Sequence, residues 1–102
     1  MDSELLSALA EPTRFKIVEL LREHPHSVNE IALLLGISQP QASKHLHRLS
    51  QVGLVRVHPV AQQRIYMLNE QPFLQLEDWV NSFHHYWNRR FDELDKHLKK
   101  GQ

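Results

Sequence analysis

Apolar residues recur every three or four positions along most of this chain. Between residues 54 and 68 that rhythm gives way to short β-branched and aromatic runs. Leu5, Leu6 and Leu9 predict a short helix over residues 1–10 with Ser3 as its cap. Glu11-Pro12-Thr13 interrupts it, and Pro12 suits the first turn of a second helix. That helix carries Phe15, Ile17, Val18, Leu20 and Leu21 and stops near His24-Pro25; its apolar side is expected to form the floor of the core. Arg14 and Lys16 near its start read as solvated, with a phosphate contact by Arg14 as the alternative.

The stretch from Ser27 to Gln51 organises the rest. Ser27 and Glu30 have the spacing of a capping box, Ile31, Leu34 and Leu35 follow at helical intervals, and Gly36 supplies a cheap positive φ for the stop. After Ile37 a second start signal follows at once. Ser38 caps, Pro40 fits the first turn and Gln41 occupies the reciprocal capping position. Ala42, Leu46 and Leu49 then make a buried stripe, and Gly53 ends the helix. Helix, short glycine-containing turn, helix is a helix-turn-helix, placed here at residues 27–52.

Leu54 to Val57 and Arg64 to Leu68 read as two strands, with His58 to Gln63 between them, so residues 54–68 are expected to form a hairpin. A hairpin after a helix-turn-helix gives a mainly α fold with a small β-hairpin, the winged helix. From residue 71 to 99 comes the longest element. Phe73, Leu76, Val80, Phe83, Trp87, Phe91, Leu94 and Leu98 are three or four residues apart, with Trp79 and Tyr86 beside them. Asn69 or Gln71 is a candidate cap, Lys96, Lys99 and Lys100 suit the C-terminal end of the dipole, and Gly101 follows as a stop. A helix of that length spans roughly 42 Å, more than so small a body covers, and an uncovered aromatic stripe usually marks a partner surface. Homodimerisation through a partly coiled-coil seam is therefore expected, with Leu5, Trp79, Phe83, Trp87, Phe91 and Leu94 at the interface.

Composition sharpens this picture. A chain of 102 residues fits one domain, and twelve basic against twelve acidic side chains cancel. Their placement does not cancel: between Glu30 and Glu70 there is no acid at all, while Lys44, Arg48, Arg56 and Arg64 lie inside that window. A phosphate backbone meets the local field rather than the net charge. There is no cysteine, which excludes disulfides and thiolate metal sites. No membrane-length apolar run and no secretory signal pattern is evident, so a cytoplasmic location is expected. With three glycines, no cysteine nucleophile and no acid–base constellation, catalysis and a bound cofactor are not expected.

LAEPTRFKIVELL, SVNEIALLLGISQPQASKHLHRLSQVGLV and RIYMLN together resemble the ArsR-type winged-helix transcriptional repressors of bacteria and archaea, from Leu9 to about Asn69. The resemblance implies a homodimer that sits on an operator in double-stranded DNA and blocks transcription. Two departures stand out. Many members sense metals through cysteines or an Asp-x-His pair, and this chain has neither. His84 and His85 diverge by about 100° on a helix, so no metal site is assigned, although a cross-subunit site with Asp95 or His97 stays conceivable. The wing tip also lacks the glycine and paired basic residues common in the family, which leaves its DNA contact open.

With the Ala42–Leu46–Leu49 stripe turned inward, Ser38, Gln39, Gln41, Ser43, Lys44 and His47 are left for DNA, and Arg56, Gln63 and Arg64 place the hairpin on the flanking backbone. His45 is either a phosphate donor or half-buried and structural. The competing reading is a winged helix that docks another protein without binding specific DNA. Operator, regulated genes and any effector stay open.

Overall fold

A computed structural model describes residues 1–100, apart from the side chain of Lys100; Gly101, expected to stop the last helix, lies outside the described residues. The order is α1 (Ser3–Ala10), α2 (Pro12–Glu23), β1 (His26–Ser27), α3 (Val28–Leu35), α4 (Gln39–Gln51), β2 (Val55–Val60), β3 (Gln63–Leu68) and α5 (Glu70–Lys100). This is the winged helix-turn-helix with a long C-terminal helix that the pattern implied. The chain divides into two units, Asp2–Pro72 and the helical stretch from Phe73 onward.

In the first unit the local signals explain most boundaries. Asp2 rather than Ser3 caps α1, its carboxylate accepting from the Glu4 N–H at 2.9 Å. A carboxylate in the cap also complements the positive end of the helix dipole. Glu11 caps α2 by accepting from the Arg14 N–H at 2.8 Å, and the Arg14 Nε donates to the Ala8 carbonyl at 2.7 Å. Arg14 thus closes the end of α1, with one donor engaged inside the protein rather than solvated. Both capping boxes of the helix-turn-helix are formed, Ser27 with Glu30 and Ser38 with Gln41. Gly36 stands at φ 66° between the two helices, and Gly53 at φ 79° turns the chain into the wing.

Ile17, Ile31, Leu46, Leu49 and Leu54 are fully buried, and Ala8 and Ala42 let the helices approach closely between them. Three expectations about this core change. Leu5, read as an interface residue, is 4% exposed and belongs to the core of its own chain. Phe15 is half-exposed, because it lies off the Ile17–Val18–Leu21 face of α2. On α3 the buried pair is Ile31 and Ala32, and Leu34 turns outward beside Leu33.

The sheet has three strands in the order β1-β3-β2 rather than a bare hairpin. Strand β1 pairs antiparallel with β3, His26 opposite Tyr66 and Ser27 opposite Ile65. The strands of the wing also run further than their apolar segments: Val60 pairs with Gln63, which shortens the loop to Ala61 and Gln62. Ala61 takes φ 56°, a value that turns of this length demand and that glycine meets without a Cβ clash. Pro59 is tolerated because β2 is an edge strand and the pair next to the turn-closing pair needs no N–H from it. Asn69 secures the foot of the wing: its N–H donates to the Leu54 carbonyl and its amide to the Gly53 carbonyl.

The second unit is most of α5, a helix of 31 residues and about 46 Å that begins one residue earlier than expected. Val80, Phe83, Trp87, Phe91, Leu94 and Leu98 fall within an arc of about 80°, and Trp79 and Tyr86 widen that arc on one side. All eight are exposed within the chain. Trp79 packs edge-to-face on Phe83 with ring centroids 5.1 Å apart, and Trp87 leans on Phe91 at 6.3 Å. No described helix is long and apolar enough to cross a membrane.

Candidate nucleic-acid interface

Helix α4 is anchored by Ala42, Leu46 and Leu49, all fully buried. With about 100° between successive residues, Pro40, Lys44, His47 and Gln51 stand directly opposite that stripe. Lys44 and His47 are exposed and make no hydrogen bond or ion pair among the described residues, so both present free polar ends outward. No acidic side chain occurs anywhere from Ile31 to Asn69, so neither α4 nor the wing contributes a negative charge of its own to this face.

All nine residues assigned to DNA from the sequence are exposed, yet they divide into four groups. Ser38 and Gln41 are occupied by the cap. The Gln41 Oε1 accepts from the Ser38 N–H at 3.0 Å and from its hydroxyl at 3.2 Å, and the Ser38 Oγ accepts from the Gln41 N–H. A glutamine whose carbonyl oxygen is already engaged twice is a poor bidentate partner for adenine. Lys44 and His47 form the outward pair. Gln39, Ser43, Gln63 and Arg64 come together in a cleft of about 270 Å³, with Ser27, Val28, Asn29, Gln62 and Tyr66 completing its walls.

Arg56 stands apart from them. Register explains the separation, because side chains alternate along a strand and paired residues share a face. Val57 pairs with Tyr66 and Pro59 with Arg64, which puts Arg64 on the face of buried Tyr66. Arg56 and His58 pair with Met67 and Ile65 on the opposite face. The wing therefore carries its two arginines back to back.

Asn29 and Val28 line this cleft too, although the sequence pattern does not single them out. The signal that could have found them is the capping box itself, since residues one and two places after Ser27 must be the first turn of α3. Around that box, His26 is buried and its Nδ1 lies 3.1 Å from the Glu30 carboxylate. The contact to His26, followed by the Ser27 N–H and hydroxyl, holds the Glu30 carboxyl below its ordinary value of 4.5. Glu30 is thereby turned to His26 and Ser27. On the other flank His45 is about three-quarters buried, with Nδ1 3.7 Å from the Glu11 carboxylate, which assigns it the structural alternative. Among the described residues no three His, Asp or Glu side chains converge as metal ligands.

Comparison with known proteins agrees with this geometry. Residues 9–58 match a family described as a helix-turn-helix domain. The HTH-type transcriptional regulator Rv2034 of Mycobacterium tuberculosis is 37% identical over 82 residues, 80% of this chain and 74% of that protein. The transcriptional repressor SdpR of Bacillus subtilis is 31% identical over 81 residues, 79% of this chain and 90% of that one. A crystal structure of an ArsR family transcriptional regulator, RHA00566, superposes with a TM-score of 0.77 at 29% identity, covering 84% of this chain and 94% of that one. By its sequence, its winged helix and these relatives, the chain belongs to the ArsR-type family of winged helix-turn-helix transcriptional regulators.

Proposed function

We propose that the chain acts in the cytoplasm as a homodimeric repressor that binds an imperfect palindromic operator. The helix-turn-helix (27–52) and wing (54–68) hold the duplex, and the helix over 71–99 pairs two copies through Trp79, Phe83, Trp87, Phe91 and Leu94. The observation that carries the reading is the acid-free outward face of α4, with Lys44 and His47 unengaged and the Arg64 cleft beside it. In the major groove Lys44 donates to guanine edges and Gln39 serves a base edge or a phosphate, whereas Ser38 and Gln41 act chiefly by holding the start of the helix. Arg56 meets the backbone from the outer face of the wing. Two copies of α4 about a two-fold axis read half-sites roughly 34 Å apart.

Selection of sites from a random duplex library, repeated at two salt concentrations, tests this. The expected result is an enriched imperfect palindrome whose binding weakens steeply with salt. No enrichment, with salt-insensitive or absent binding, would favour docking to a protein through the same fold.

A further inference from the structure

We propose that His24 and His26 form a two-imidazole site for a divalent transition-metal ion of tetragonal preference, Cu²⁺ or Ni²⁺, where the chain passes from α2 to α3. The Glu30 carboxylate backs one ligand and the Pro25 carbonyl the other. The inference is independent of the DNA-binding reading and of the histidines on α5.

The local sequence brings the two rings together. In His24-Pro25-His26 the proline keeps the residue before it out of the helical region, and His24 ends α2 in an extended conformation at φ −169° and ψ 166°. Side chains two places apart on an extended chain share a face. These two rings meet with centroids 4.2 Å apart and planes inclined by 46°. His26 is buried and held by the pairing of β1 with β3, opposite Tyr66, whereas His24 is exposed.

Hydrogen bonding fixes which nitrogens are free. The His24 Nδ1 lies 3.2 Å from the Pro25 carbonyl oxygen, and the His26 Nδ1 lies 3.1 Å from the Glu30 carboxylate. Both partners only accept, so each Nδ1 donates and each neutral ring keeps its lone pair on Nε2. Histidines that bind metals are oriented in this way, one ring nitrogen tied to a carbonyl or carboxylate and the other left for the ion. Neither Nε2 has a partner among the described residues. No buried side-chain nitrogen there lacks one, so the Nε2 of His26 reaches the surface.

The ring spacing selects the kind of ion. A metal–nitrogen bond of about 2.1 Å places the ion about 3.2 Å from each ring centre. Centres 4.2 Å apart then subtend about 80° at the ion. That is close to the right angle of a square-planar or octahedral ion and well short of a tetrahedral one, which suits Cu²⁺ or Ni²⁺ better than Zn²⁺. Glu30 also supplies a negative charge behind His26, while Arg22, the nearest cation in sequence, is directed to Glu19 and Glu23.

Titration of the tag-free chain with Cu²⁺ or Ni²⁺ alone, followed by calorimetry, tests the site. The wild type should show saturable binding of one ion per chain. His24→Ala, at an exposed position, should keep the helicity of the wild type and weaken binding about tenfold or more. Glu30→Gln, which keeps a residue suited to the capping box, should weaken it about tenfold by releasing the His26 ring. A double variant, His84→Ala with His85→Ala, should bind as the wild type does. The electron paramagnetic resonance spectrum of the Cu²⁺ form should be tetragonal with two coupled imidazole nitrogens, falling to one in His24→Ala. Wild-type affinity in His24→Ala, loss of binding in the α5 double variant, or no saturable binding at all would overturn the site.

Discussion

Replacing Trp87 by Ala tests the role of α5 most directly. Trp87 sits near the middle of the apolar arc and is 54% exposed within the chain. A tryptophan carries up to about 250 Å² of surface, so on the order of 130 Å² awaits a partner; at about 25 cal/mol per Å² that is roughly 3 kcal/mol per copy. Two-fold symmetry counts the change twice, giving an upper figure of about 6 kcal/mol. Incomplete coverage reduces it, because the ring also leans on Phe91 and Tyr86 of its own helix. If half survives, the dimer dissociation constant rises about 100-fold. Sedimentation equilibrium over a range of concentrations, with helicity checked by circular dichroism, measures the shift. Operator affinity should fall in parallel, since one half-site alone loses the gain of linked binding. A Trp87→Ala protein that keeps its helicity, dimer constant and operator affinity would refute the seam.

The other predictions concern the first unit. Lys44→Ala should cost about 1–3 kcal/mol in operator binding with the loss concentrated at one base-pair position per half-site; a uniform loss across sequences would make Lys44 a phosphate contact. Leu46→Ala, at a fully buried site on α4, should lower unfolding free energy by about 2–5 kcal/mol in denaturant titration, and a loss under 1 kcal/mol would mean the site collapses around the smaller residue. Ala61→Gly relieves a positive φ at the wing tip and should leave stability equal or raise it by up to about 1 kcal/mol; a clear loss would refute the turn geometry. Glu30 has a lowered folded-state pKa, so its contribution is present above its ordinary value of 4.5 and disappears as pH falls through the folded value. Stability curves of wild type and Glu30→Gln should therefore converge below about pH 4.5, and a constant gap down to strong acid would refute this account.

Most of this fold is legible because its signals are local. Two capping boxes, a positive-φ glycine after each helix of the pair and a stripe of three buried residues on α4 each declare themselves within a few positions of the sequence. The cap of α1 was misplaced by one residue because Asp2 and Ser3 are both good caps and only the backbone distinguishes them. Strand β1 is invisible from sequence, since two residues have no alternation to read and His26-Ser27 pairs for reasons that lie forty residues away on β3. Leu5 failed for a similar reason: an apolar residue on a short helix does not state whose core it enters. The site was half legible. Exposure of the nine residues followed from the buried stripe and the strand alternation, but their division into cap, outward pair, cleft and outer wing face depends on register between elements.

That division bears on how such a small surface achieves specificity. The segment Ser38-Gln39-Pro40-Gln41 looks rich in base-reading groups, yet two of its four side chains are engaged in starting the helix. A helix that begins with its cap fixed presents Lys44 and His47, one and two turns in, at a defined height above the core. Base reading then falls to few side chains, and the remaining affinity comes from contacts that fix where the helix lies. Strand β1 meets that need because it ties the wing to the start of α3 and so fixes where the wing stands beside the helix pair. On this view loss of the β1–β3 pairing should blur sequence preference as well as weaken binding, because Lys44 would then meet the groove at more than one depth.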